Sequence, residues 1–185
     1  MMSAESRFLT LLRLLAYHPA AQGLQDDVAL LPVGNARLVL TSDTMVEGIH
    51  HLPTDPPAAV GWKLAAVNLS DLAAKGARPL GCLLNYALSG DDAWDAAFLE
   101  GLGEALERHA MPLLGGDTVR MPADAPRSYS LTAIGEAQSS VPSRTGARAG
   151  DRLYVTGPMG DAGVGLELLR ADPAAAGPLV EAYRR

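Results

Sequence analysis

Apolar positions along this chain recur at two spacings, one helical and one alternating, and the switches between them mark out the elements. The apolar run Phe8 to Ala16 predicts an amphipathic helix, capped near Ser3 or Ser6 and stopped by Pro19. Gly23 to Leu31 then gives a glycine turn, the acid pair Asp26 and Asp27, and a short apolar strand ended by Pro32. A turn at Gly34 and Asn35 leads into a second strand, Leu38 to Leu40, which delivers Thr41, Ser42, Asp43, Thr44, Glu47 and His50 into a polar loop. A hairpin joining the two strands puts Asp27 in the same sheet as Asp43.

Asp55-Pro56-Pro57 predicts a helix start with Asp55 as its N-cap, and the helix runs to about Lys75 with Gly76 just past its end. At about 100° per residue, Val60, Leu64, Val67 and Asp71 form one stripe, while Trp62, Leu69 and Leu72 cover the opposite side. Asp71 therefore continues a line of apolar side chains. A buried acid must be paired, hydrogen-bonded or metal-bound. Pairing with Lys75, four residues on, is the structural alternative to a metal.

Pro79 to Leu88 predicts a buried strand, Ser89 to Asp92 a capping turn, and Ala93 to His109 a helix with Trp94, Phe98, Leu102 and Leu106 toward the core. Met111 to Asp117 reads as a strand opening into the glycines Gly115 and Gly116 and a further acid, Asp117. A Pro-rich loop, Met121 to Pro126, precedes a strand from Ser128 to Glu136 in which Tyr129, Leu131, Ala133 and Gly135 share a face. The order β-β-α-β-α-β-β predicts an α+β layer with two helices on one face of a mixed sheet. Beyond it, Leu153 to Thr156 reads as a strand, Ala162 to Arg170 as a helix, and Pro173 to Pro178 as a break before a short last helix. These read as the opening of a second α/β domain, dividing the chain into residues 1–140 and 141–185.

Composition changes this picture little. At 185 residues and 48% hydrophobic, the chain is a globular protein with one good core, and Cys82 in an apolar segment is a core residue. A formal net charge of −6 gives no general reason to bind nucleic acid or an anionic membrane. No targeting or membrane-spanning segment is apparent, so a cytoplasmic location is expected.

The candidate chemistry is that of oxygen ligands. Thr41, Ser42 and Asp43 suit Mg²⁺, a hard cation, although Ser, Asp and Thr after a strand also begin an ordinary capped helix. Asp26 and Asp27 mark either a solvated turn or a second metal contact, with Asp27 the better placed. Gly115 and Gly116 allow a backbone to approach a phosphate, but neither a P-loop nor a dinucleotide fingerprint is present. Arg144 and Arg148, in the loop Ser143 to Asp151, are the natural phosphate donors of an acidic protein.

Taken together, DDVALL at Asp26, TSDTMVEGIHH at Thr41, AVNLSDLAAKGA at Ala66, GGDT at Gly115, SRTGARAGD at Ser143 and VTGPMGDAG at Val155 closely resemble the thiamine-monophosphate kinases of the AIR-synthase-like, or PurM-like, superfamily. The resemblance implies a PurM-like N-terminal domain for ATP and Mg²⁺ binding and dimerisation, forming a homodimer, with several Mg²⁺ ions around ATP as co-substrate. By motif, Asp27, Thr41, Ser42, Asp43, Asp71 and Asp117 would be the metal residues. Gly116, Asp117 and Arg144 would contact the nucleotide, and His50 the thiamine monophosphate. The implied reaction moves the γ-phosphoryl group of ATP onto the phosphate of thiamine monophosphate, giving thiamine diphosphate. Such chemistry rests on positioning and charge neutralisation, and no side chain stands out as a general base. Gln25 stands where the family usually has glycine, and the chain stops where the family's second domain has barely begun. Two other readings are another ATP-using enzyme of the superfamily, such as AIR synthase or a hydrogenase-maturation protein, and a non-catalytic remnant that binds nucleotide or dimerises.

Overall fold

The computed structural model describes residues 3–122 and 125–185. Helix α1, Ala4–Leu12, starts at Ser3, whose hydroxyl accepts the Ser6 N–H at 3.0 Å. It ends sooner than the apolar run suggests, and Phe8 and Leu11 stay exposed. A kinked 3₁₀ segment, Pro19–Leu24, then leads to the hairpin of β1, Ala29–Val33, and β2, Ala36–Val46. Pairing runs from Ala29 with Leu40 to Val33 with Ala36, and Gly34 takes the turn with φ +58°. Pro32 lies inside β1 instead of ending it, which an edge strand tolerates.

Strand β2 also runs on through Val46, so Thr41 to Val46 are strand and not the polar loop expected after Leu40. The cause lies across the sheet. Strand β5, Ser128–Ala137, pairs with β2 as far as Val46 with Ser128. Ser42 shares a hydrogen bond with Thr132 at 2.9 Å, and Thr44 with Ser130 at 2.6 Å, so the hydroxyl run is held as a ladder.

Strands β3, Ala77–Leu88, and β4, Leu113–Arg120, complete a mixed five-stranded sheet in the order β1-β2-β5-β3-β4. Only the β3–β4 pair is parallel among the described strands. The glycine pair is part of β4, not an opening beyond it. A Cβ on Gly116, where φ is +152°, would stand 1.7 Å from the Leu84 carbonyl oxygen.

Helices α2, Pro57–Ala74, and α3, Asp92–Arg108, pack on one face of this sheet, as the apolar stripes predict. They cross with backbones nearly touching: a Cβ on Gly101 would lie 1.8 Å from the Ala58 oxygen, and one on Gly61 2.1 Å from that of Phe98. In the core below them, the Tyr129 ring lies 4.6 Å from Phe98, 5.1 Å from Tyr86 and 5.7 Å from Trp94. Cys82 is buried there, and burial pushes its thiol up to about 11, so it is an inert core residue.

Two expectations are corrected at the ends of this unit. Asp55 does not cap α2; its carboxylate accepts the Leu52 N–H and the Tyr183 hydroxyl, both at 2.8 Å. Leu153 to Thr156 form no strand, because nothing pairs with them among the described residues, and Leu153 to Val155 are largely exposed. The helices after them do form. Helix α4, Asp161–Ala171, and α5, Pro178–Arg184, close a small core of Leu169, Val180 and Tyr183. Helix α5 docks beside the start of α2, through the Tyr183 hydroxyl on Asp55 and the Lys63 ammonium of α2, 4.3 Å over the Tyr183 ring. Among the described residues, no helix is long and apolar enough to cross a membrane.

Candidate functional site

Strand alternation sorts the candidate residues between the two faces of the sheet. On β2, Val39, Thr41, Asp43 and Met45 face the helices, and Ser42 and Thr44 face the open side of the sheet. Thr41 is 4% exposed, and its hydroxyl donates to Asp71 at 2.6 Å. The Asp27 carbonyl oxygen lies 3.3 Å from the same hydroxyl. Asn68, fully buried on α2, accepts the Asp43 N–H at 3.2 Å and donates to the Leu64 carbonyl at 3.0 Å. Thus one turn of α2 both pins β2 and presents Asp71 to it.

Asp27 enters the same region from just ahead of β1. Burial raises the Asp43 carboxyl above its ordinary value, and the Asp71 and Asp27 charges raise it further. Three carboxylates therefore share one rim and repel one another. A cation there would relieve the repulsion, and oxygen donors of this kind suit Mg²⁺. Among the described residues, no three His, Cys, Asp or Glu side chains already form a metal cage. Mg²⁺ seldom needs one, since it binds through one or two carboxylates and takes phosphate oxygens and water for the rest.

Some of the other predicted residues lie elsewhere. Ser42 and Asp117 are not brought to this rim. Asp117 is level with Asn85 on β3, which is level with Ser130 on β5, so Asp117 belongs to the open face with the Ser42 and Thr44 hydroxyls. It lines a cavity of about 190 Å³ with Asn85, Ser130 and Val119. Gly116, one residue earlier, is pressed against the Leu84 backbone.

Arg144 reaches the rim, where its guanidinium meets Asp27 at 3.0 Å. Arg148 lies in the same segment, with its peptide N–H held by Asp151 at 2.8 Å. His50 sits beyond the end of β2, where its Nδ1 accepts the Val46 N–H at 3.0 Å and its carbonyl accepts the Lys63 ammonium at 3.1 Å.

Sequence reasoning missed two participants. Asn68 carried a signal, being an amide in a nearly all-apolar helix three residues before Asp71. Asp26 carried none beyond its adjacency to Asp27. It is the acid that Lys75 meets, at 2.7 Å, in place of Asp71.

Residues 25–137 match the family described as AIR synthase related protein, N-terminal domain. The chain belongs to the AIR synthase related family. The family segment contains the whole sheet with α2 and α3, and Arg144 lies beyond its end. Among curated relatives, the thiamine-monophosphate kinase of Synechococcus elongatus is 41% identical over 170 residues, covering 90% of this chain and 51% of the relative. That of Escherichia coli strain K12 is 40% identical over 151 residues, covering 80% of this chain and 45% of the relative. The chain thus spans about half the length of the curated relatives it matches. A solved structure of AaThiL complexed with AMPPCP and TMP is similar over 100% of this chain and 61% of its own, with a TM-score of 0.87 and 28% identity.

Proposed function

We propose that this member of the AIR synthase related family is the nucleotide- and metal-binding part of a thiamine-monophosphate kinase, with ATP and thiamine monophosphate as substrates. The observation that carries the reading is the rim where Asp27, Asp43 and Asp71 converge beside Thr41 and Arg144. Similarity over the full chain to AaThiL complexed with AMPPCP and TMP supports it.

Bound Mg²⁺ would neutralise the phosphate charge that develops during transfer. Asp27, Asp43 and Asp71 would hold it on the helix side of the sheet, with Thr41 orienting Asp71. Asp117 and Ser42, on the open face, would serve a separate position, which fits more than one ion. Arg144 would leave Asp27 for a phosphate oxygen, and the Gly116 backbone would contact the nucleotide. His50, held by Val46 and Lys63, would meet the substrate phosphate. The acceptor phosphate is already ionised, so no base is required.

A homodimer through the open sheet face belongs to the same reading. That face carries the apolar residues Leu83 and Val119 beside Ser42, Thr44, Asn85 and Asp117. Residues 1–140 would be the dimerising domain, and 141–185 the linker and beginning of the next.

The test is a product assay with purified chain, thiamine monophosphate, ATP and Mg²⁺, separating and detecting thiamine diphosphate, alongside sedimentation for the dimer. Product that vanishes in Asp43→Asn and Asp71→Asn is the expected result. A folded sample that binds Mg²⁺ and an ATP analogue without making product supports a binding or dimerisation module instead. Absence of Mg²⁺-dependent nucleotide binding overturns both.

A further inference from the structure

The two acids of the Asp26 and Asp27 pair have opposite surroundings. Side-chain exposure is 7% for Asp26 and 59% for Asp27. Both carboxylate oxygens of Asp26 meet the Lys75 ammonium, at 2.7 and 2.8 Å, and Oδ1 also accepts the Asp27 N–H at 2.9 Å. Asp26 is therefore engaged through both of its carboxylate oxygens, by a cation and by the backbone of its neighbour.

Lys75 is equally committed. It is the C-cap of α2, one helical turn beyond Asp71, and its side chain is 7% exposed. Besides Asp26, its ammonium donates to the Pro142 carbonyl at 3.1 Å. One buried cation thus joins three segments: the end of the helix that carries Asp71, the turn that carries Asp27, and the chain just before Arg144. Arg144 then closes the loop on Asp27 at 3.0 Å.

A buried ion pair is seldom more stabilising than apolar residues of the same volume, so stability alone does not account for it. Its geometry does. We propose that Asp26 and Lys75 are a positioning pair that sets Asp27 and Arg144 against Asp71, so that the rim is assembled before nucleotide arrives. Neither residue touches substrate or metal. The functional half of this proposal rests on the Mg²⁺-nucleotide reading above; the geometric half does not.

Lys75→Met leaves a buried, unpartnered carboxylate, and its expected outcome is a loss of folded protein. The double variant Asp26→Asn/Lys75→Met removes both charges and decides the matter, since it is expected to melt cooperatively close to the parent. Two readouts apply to it. Amide hydrogen exchange at Asp27 and over residues 143–146 should quicken by about tenfold or more, and the Mg²⁺ concentration that half-saturates binding of a non-hydrolysable ATP analogue should rise by roughly 10–100-fold, as for other residues supporting metal ligands. Parent-like exchange in those segments overturns the proposal. Faster exchange with an unchanged Mg²⁺ requirement also overturns it, reducing the pair to a fold contact. If the parent chain binds no Mg²⁺-nucleotide, the functional reading fails, and exchange alone decides whether the pair positions the two segments.

Discussion

Thr41→Val is the sharpest probe of the junction between β2 and α2. Valine keeps the β-branched shape that suits the strand and removes only the hydroxyl, which is buried and donates to the Asp71 carboxylate at 2.6 Å. A hydrogen bond to a charged group contributes about 1.5–3 kcal/mol. The added methyl returns roughly 0.8 kcal/mol by burial. The net loss is about 1–2 kcal/mol, and at ~2–4 °C per kcal/mol for a chain of this size Tm falls by about 2–8 °C. Thermal unfolding followed by circular dichroism without metal reads the change. Thr41→Ser is the control, because it keeps the hydroxyl and gives up a methyl instead. Adding Mg²⁺ with an ATP analogue should raise Tm for the parent and the serine variant by more than for the valine variant, whose Asp71 has lost its orienting donor. A valine variant as stable as the parent, with a serine variant below both, would refute the reasoning: packing and not the hydroxyl would then hold the junction.

Asp43→Asn should stabilise the chain at neutral pH. The folded-state pKa of Asp43 is raised, by burial first and then by Asp71 and Asp27, so the stability linked to its proton is present below the unfolded value and lost as pH rises through the folded one. The gain in urea midpoint should therefore be full at pH 7 and vanish toward about pH 4, near the ordinary carboxylate range, while the Mg²⁺-dependent rise in Tm disappears; an equal midpoint at both pH values would be the contrary result. Gly101→Ala places a Cβ 1.8 Å from the Ala58 oxygen, so the helices must part by roughly 1.5 Å at a cost of about 1–3 kcal/mol or more, and an unchanged melt would disprove the close crossing. Tyr183→Phe leaves buried Asp55 one donor short, costing about 1–3 kcal/mol. Burial, then Asp55, pushes that phenol up to about 12, so it stays a donor at neutral pH, and hydrogen exchange over α5 should quicken in the variant.

The parts of the fold legible in the sequence are those where local pattern and tertiary burial agree. Tyr129, Leu131, Ala133 and Gly135 alternate in the chain and all four are buried on one face of β5. Helix α2 ends where Gly76 says it should, with φ +59°. Asp71 was legible because an acid in an apolar stripe needs a partner, although its partner proved to be the hydroxyl of Thr41 and not Lys75. The length of β2 was not legible. A run of Thr, Ser, Asp and Thr is loop-like by composition, and what makes it a strand is a set of hydroxyls on β5 that lie 90 and 86 residues away in sequence.

The strand conformation of Thr41 to Val46 has a chemical consequence. In a loop, Thr41, Ser42 and Asp43 can turn toward a single ion. In a strand, neighbouring side chains leave on opposite faces, so Thr41 and Asp43 go with Asp71 while the Ser42 hydroxyl goes to Thr132. Asp117 is separated for the same reason, by its register with Asn85 on the open face. The Thr41 and Ser42 side chains therefore leave on opposite sides of the sheet, and the side chains that the motifs group together divide between those sides. Strand parity, which a motif does not record, thus decides which of these residues can act together.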